Sequence, residues 1–349
     1  MMTLQQPADA SLTGPAGPMR GRPRFAAVGA GRMGRGIAIA FAYAGYRISL
    51  VDLRERSGDA WQALQREAGA EIEASLAGLA QQGVIEASQV AQIAGRIELV
   101  KAAEAPAALS GAELVFEGVP ETLQAKREAY DQLSRHCRDD AILTSTTSSI
   151  LVTQLAAFVR KPERFLNMHW LNPAYVIPVV ELSCHPATDA AVLERAKAVM
   201  ESIGKLPVVC GPSPGYIVPR LQALIMNEAA RMIEEGAATA EEIDKATRFG
   251  LGLRFAALGV VEFIDFGGCD ILHHASREMS ASINPARYTA PAIVDRMVAE
   301  GRLGLKTGSG FYDYQGRDVA AYRHDVLGRT LGMLKHAGLW RAAAPKTRS

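Results

Sequence analysis

The chain has 349 residues, 48% hydrophobic and 21% charged, which is the length of two ordinary domains and the composition of packed cores rather than wholesale disorder. With 38 Lys and Arg against 37 Asp and Glu the formal charge is +1, so there is no global field for a polyanion, which argues against a dedicated nucleic-acid binder. No apolar run approaches the ~18 residues of a membrane span, and the four cysteines (Cys137, Cys184, Cys210 and Cys269) form no CxxC pair, so neither a zinc site nor a disulfide framework is indicated.

Met1 to Pro23 is rich in Ala, Pro, Gly and Ser and lacks the apolar segment of a secretory signal; it reads as a disordered tail on a cytoplasmic protein. Phe25 to Val28 predicts a short strand, followed by Gly29-Ala30-Gly31-Arg32-Met33-Gly34 and by apolar residues at helical spacing (Ile37, Ala38, Phe41, Ala42, Ala44) up to Gly45. Tyr46 to Asp52 predicts the next strand, with an acid at its tip, and Arg56 to Gln82 predicts a helix. Leu114 to Phe116 and Ala141 to Thr144 predict further strands, with a helix from Thr122 to Arg135 between them. Strands alternating with helices imply an α/β fold built on a Rossmann-type, doubly wound parallel sheet.

Pro and Gly cluster at Gly211-Pro212-Ser213-Pro214-Gly215, and strand signals nearly vanish beyond it. Arg220 to Glu235 predicts a long helix closed by Gly236, and Thr239 with Glu242 forms a capping box for the next. Phe263 to Met279 and Pro291 to Glu300 also read as helices. The expected organisation is a tail (1–23), a dinucleotide-binding domain (24–211) and a mostly α-helical domain (212–340).

Gly29-x-Gly31-x-x-Gly34 follows a predicted strand, opens a predicted helix and is followed by Asp52 at the end of the next strand. The first glycine permits a tight turn, the second lets backbone approach a pyrophosphate, and the third lets helix and strand pack closely. The helix N-terminus offers N–H groups to phosphate oxygens, with Arg32 and Met33 in the same turn. Asp52 can accept both ribose hydroxyls and would repel a 2′-phosphate, which favours NAD over NADP; Arg54 softens that preference.

Downstream, Ser148 lies in a Thr/Ser-rich run after a predicted strand, His169 in Met168-His169-Trp170-Leu171-Asn172-Pro173, and Glu181 in Ile177-Pro178-Val179-Val180-Glu181-Leu182. A carboxylate beside an imidazole fixes its tautomer and raises its basicity, so a histidine held this way can take an alcohol proton while hydride leaves the carbon. His136, His185, His273, His274, His324 and His336 lack such neighbours and read as structural.

On these motifs the chain, from about Phe25 to Tyr314, resembles the L-3-hydroxyacyl-CoA dehydrogenase family. The resemblance implies that Ser148, His169 and Glu181 form the active site: His169 as acid/base at the 3-hydroxyl, Glu181 orienting it, Ser148 bonding the substrate oxygen. It also implies cofactor contacts at Glu121, Lys126, Asn172 and Lys306, with Asn172 bordering the substrate as well. A homodimer made through the helical domain is implied too, with no nucleic-acid or membrane partner.

Three departures accompany the match. The family motif Pro-Gly-Phe-Ile-Val-Asn-Arg reads Pro214-Gly215-Tyr216-Ile217-Val218-Pro219-Arg220 here, so an amide and an N–H are lost at Pro219, although Pro suits a first helical turn. The helical arm that is lysine-rich in the family carries only Arg66 between Gln65 and Gly83, beside Glu67, Glu71 and Glu73, whereas a CoA 3′-phosphate wants basic partners. His169 to Tyr175 with Ile177-Pro178, and Gly250 to Phe255, resemble the λ-crystallin and L-gulonate 3-dehydrogenase branch, in which Arg254 could clamp a substrate carboxylate. The expected activity is NAD-dependent oxidation of an L-3-hydroxyacyl-CoA such as 3-hydroxybutyryl-CoA. The alternative is a free 3-hydroxy acid such as L-gulonate or carnitine. A non-catalytic NAD-binding protein is a third reading, against which the complete Ser148, His169 and Glu181 set argues.

Overall fold

The computed structural model describes residues 24–340, so the segment expected as a tail, 1–23, lies outside the described residues. The chain divides into two units between Leu224 and Ile225. In the first unit the order is β1 (Phe25–Val28), α1 (Arg32–Tyr43), β2 (Ile48–Val51), α2 (Gly58–Gln81), α3 (Gln89–Ala94), β3 (Ile97–Val100), α4 (Ala105–Leu109), β4 (Leu114–Glu117) and α5 (Leu123–His136). It continues through β5 (Ile142–Ser145), α6 (Val152–Leu155), β6 (Phe165–Trp170), β7 (Val179–Cys184), α7 (Ala190–Ser202) and β8 (Leu206–Cys210).

The strands form one sheet in the order β3-β2-β1-β4-β5-β6-β7-β8. Every neighbouring pair is parallel except β6 and β7, which run antiparallel. The predicted doubly wound sheet is therefore present, and an antiparallel step extends it. The strands β1, β2, β4 and β5 are buried along their whole length, as short apolar runs covered by helices on both faces should be. Alternate residues feed two cores: Phe25 and Ala27 join the cluster under α1 and α2, whereas Ala26 and Val28 join the cluster under α4 and α5. The helices start where their caps place them, with Ser57 capping α2 and Thr122 capping α5.

The apolar runs do not foretell β3, β6, β7 and β8. β3 and β8 lie at the sheet edges with partly exposed faces, and β6 (FLNMHW) and β7 (VVELSC) carry polar residues inside the strand.

Helix α8 (Val218–Glu234) begins in the first unit and ends in the second. It starts before the predicted Arg220, with Pro219 in its first turn, where a missing N–H breaks no helical bond. The second unit continues with α9 (Ala240–Lys245), capped by Thr239 as its capping box predicts, and a π-helical turn at Ala246–Gly252. It then runs through α10 (Leu253–Ala257), α11 (Val260–Gly267), α12 (Cys269–Ser282), α13 (Pro285–Tyr288), α14 (Ala292–Ala299) and α15 (Val319–His336). The single helix predicted from Phe263 to Met279 is two helices, because Gly268 takes φ 111° between α11 and α12.

Candidate active site

The turn after β1 is built by contact distances that only glycine satisfies. A Cβ on Gly29, which has φ 104°, would sit 2.6 Å from the Gly118 carbonyl oxygen, and one on Gly34 would sit 2.0 Å from the Gly29 oxygen. A Cβ on Gly31 would meet nothing within 4 Å. That open space adjoins the start of α1, where Gly31 is the N-cap and no side chain caps the helix, so the first-turn N–H groups are free for an anion. The turn borders a cleft of about 1090 Å³, which Asp52, Gly118, Val119 and Pro120 also line. Arg32 is exposed and Met33 packs partly against the first core.

Asp52 follows β2 and is nearly buried, with its carboxylate paired to Arg56 Nε. The backbone N of Arg54 also approaches it, at 3.4 Å. The cation beside Asp52 is thus Arg56, which the sequence reading does not single out. Glycine cradle, uncapped helix start and an acid after the second strand fit a dinucleotide.

Beside this cleft lies a fully buried polar cluster. Glu117, at the end of β4, accepts from Lys126 Nζ at 3.0 and 3.1 Å, Tyr130 OH at 3.1 Å, Ser145 Oγ at 2.8 Å and Val119 N at 2.8 Å. Lys126, expected at the cofactor, has its side chain inside this cluster, with Glu121 at 3.4 Å. Glu121 itself holds the serine loop: its Oε1 accepts from Thr147 Oγ1, from Ser148 N at 3.0 Å and from Ser149 N and Oγ at 3.2 and 3.0 Å. Burial would raise its pKa, but the hydroxyls of Thr147 and Ser149 and the Lys126 ammonium outweigh it and hold the carboxyl below the usual range. Ser148 is exposed at the tip of the loop so held.

His169 on β6 and Glu181 on β7 are partners in the antiparallel register, and Nδ1 lies 2.8 Å from Glu181 Oε2. Glu181 is fully buried; its Oε1 accepts from Ile217 N at 2.9 Å and Val218 N at 2.8 Å, where α8 begins. The carboxylate is therefore fixed at one oxygen by backbone and aims the other at the imidazole. The Tyr216 ring stacks on His169 with centroids 4.7 Å apart. With Nδ1 engaged, Nε2 is the ring atom left to exchange a proton.

Asn172 is exposed three residues beyond His169. Arg254 and Lys306 belong to the second unit. Arg254 is exposed on α10, its guanidinium 5.9 Å from the Phe263 ring centroid, and Lys306 pairs with Asp270. The loop carrying Lys306 is held by buried Asp265, which accepts from Phe311 N at 3.0 Å and Tyr312 N at 2.8 Å. Sequence reasoning misses Glu117, Tyr130, Asn167 and the hydroxyl of Tyr216. An acid ending an apolar strand, as in Leu114-Val115-Phe116-Glu117, is the signal that could have found Glu117.

The family model "3-hydroxyacyl-CoA dehydrogenase, NAD binding domain" matches residues 24–213, and "3-hydroxyacyl-CoA dehydrogenase, C-terminal domain" matches 215–314. The chain is 31% identical over 291 residues to a probable 3-hydroxybutyryl-CoA dehydrogenase of Bacillus subtilis, covering 82% of this chain and 96% of that protein. It is 32% identical over 208 residues to a 5-formyl-3-hydroxy-2-methylpyridine 4-carboxylate 5-dehydrogenase of Mesorhizobium japonicum, covering 59% of this chain and 67% of that one. Among solved structures, a 3-hydroxyacyl-CoA dehydrogenase of Archaeoglobus fulgidus is similar with a TM-score of 0.71 and 29% identity, covering 91% of this chain and 100% of that one. With its dinucleotide turn and its paired imidazole and carboxylate, the chain belongs to the 3-hydroxyacyl-CoA dehydrogenase family, whose members are NAD-dependent oxidoreductases.

Proposed function

We propose that this protein oxidises the 3-hydroxyl of an L-3-hydroxyacyl-CoA, of the 3-hydroxybutyryl-CoA type, to the 3-oxo compound with NAD as acceptor. The observation that carries the reading is the His169 Nδ1 to Glu181 Oε2 contact of 2.8 Å on adjacent strands. NAD, when bound, supplies the carbon that accepts the hydride. The free N–H groups at the start of α1 would hold its pyrophosphate, and Asp52 its adenosine ribose. His169 Nε2 takes the hydroxyl proton, and Glu181 holds the ring and its tautomer by lying against Nδ1. Ser148 offers a hydroxyl to the substrate oxygen. In the reverse direction His169 Nε2 returns the proton.

The test is initial-rate NAD reduction with (S)-3-hydroxybutyryl-CoA, in wild type and in His169→Ala. Turnover in the wild type, and its loss in the variant with NAD binding retained, support the reading; retained turnover in the variant overturns it.

A second reading, a free 3-hydroxy acid as substrate, has specific support. In α2, Glu67 and Glu71 are spent on Arg35, and no lysine offers itself to a CoA phosphate. Arg254 has no carboxylate partner among the described residues and lies next to a π-helical turn. The Mesorhizobium relative is named for a substrate with a free carboxylate. A strong rate preference for thioesters over free acids discards this reading. A homodimer made through the helical unit and a cytoplasmic location complete the proposal. Among the described residues no helix is long and apolar enough to cross a membrane.

A further inference from the structure

We propose that Tyr216 and Asn167 are a positioning pair that sets the serine loop against His169; this inference rests on the dehydrogenase reading above. Tyr216 is the one non-glycine residue with positive φ among the described residues, at 46°, and it is buried. A bulky side chain keeps that conformation only where its surroundings over-determine it. The surroundings here are the catalytic groups. Its ring lies on the His169 imidazole at an interplanar angle of 12°. Its hydroxyl donates to the Thr147 carbonyl at 2.9 Å and accepts from Asn167 Nδ2 at 3.0 Å. Asn167 is buried on β6, two residues before His169, and its Nδ2 also donates to the Ile150 carbonyl at 3.0 Å.

Thr147 and Ile150 bracket Ser148 and Ser149. One carbonyl on each side of the serine pair is therefore tied to Asn167 on the strand that carries His169, Ile150 directly and Thr147 through the Tyr216 hydroxyl, while Glu121 ties the loop amides. Burial pushes the Tyr216 phenol up, so its proton stays committed to the Thr147 oxygen. A glycine would adopt the backbone freely but supply neither ring nor hydroxyl. A phenylalanine, the residue of the family motif at this position, would keep the ring and lose the bridge. The hydroxyl is thus the atom that couples the placement of Ser148 to that of His169, and a misplacement of about 1 Å at such a site is costly in rate.

The experiment compares Tyr216→Phe, Ser148→Ala and the double variant in the full chain, with thermal melting as a check on folding. Tyr216→Phe is expected to lower kcat about tenfold while KM for NAD stays within about twofold. The same change in the Ser148→Ala background is expected to cost nothing further, because the group being placed is gone. Asn167→Ala should lower kcat in the same direction and be non-additive with Tyr216→Phe. Unchanged kcat in Tyr216→Phe, or an equal loss with and without the Ser148 hydroxyl, overturns the proposal. Amide hydrogen exchange of residues 147–150 supplies a readout independent of turnover: faster exchange in Tyr216→Phe supports the pair and unchanged exchange overturns it. Absence of hydroxyacyl-dependent NAD reduction in the wild type instead overturns the dehydrogenase reading, and the exchange measurement still judges the pair.

Discussion

His169 and Glu181 face each other because β6 and β7 pair antiparallel in a register that makes these two residues partners. Partners in such a register present their side chains to the same face, so strand pairing brings imidazole and carboxylate together. Glu181→Gln should lower kcat about 100-fold, because an amide can present its NH2 to Nδ1 and favour the wrong tautomer. NAD affinity, read by fluorescence titration, should not change. Equal kcat in variant and wild type would count against the orienting role.

Asp52 lines the cleft beside the glycine turn, and Arg56 is already bonded to it. Asp52→Asn should raise KM for NAD about tenfold, the scale of one charge-assisted hydrogen bond. It should also narrow the preference for NAD over NADP, because Arg56 is then released toward a 2′-phosphate. Steady-state kinetics with both cofactors checks this.

The Glu117 and Lys126 pair is fully buried. Lys126→Met leaves a buried carboxylate without its cation and should cost about 3–5 kcal/mol of stability, read by urea unfolding. Changing Glu117→Gln together with Lys126→Met should recover a large part of that loss, since the uncompensated charge is removed as well.

Lys205 donates to the Ile177 carbonyl at 2.8 Å, and burial lowers its pKa from 10.5 to about 8. Below pH 8 the ammonium is charged in both states, and the folded state bears the cost of burying it. Between pH 8 and 10.5 the unfolded chain binds more protons at this residue, so its contribution to stability rises with pH across that window. Lys205→Met should remove this rise. Unfolding curves at several pH values within the window, unchanged between wild type and variant, would contradict the assignment.

The dinucleotide turn was readable because its chemistry is local: three glycines, a helix start and an acid lie within one β-α-β unit. Ser148, His169 and Glu181 were readable as motifs, and the resemblance implied that Glu181 orients His169; the strand pairing that joins those two was not legible, since polar residues inside β6 and β7 hide the strands from an apolar pattern. The Tyr216 bridge joins positions 69 residues apart and has no local signal. Glu121 and Lys126 entered only as cofactor contacts that the family resemblance implies. Their attachment to the serine loop and to Glu117 depends on tertiary contacts that spacing does not encode. The break at Gly268 escaped because helical periodicity continues on both sides of one glycine.

The antiparallel pairing of β6 and β7 constrains how this protein can vary by insertion and deletion. One residue gained or lost inside Phe165–Trp170 or Val179–Cys184 would turn His169 and Glu181 to opposite sides of the sheet. Length changes between the two strands, at 171–178, leave that facing intact, so indels in descendants of this gene should be confined to the connection.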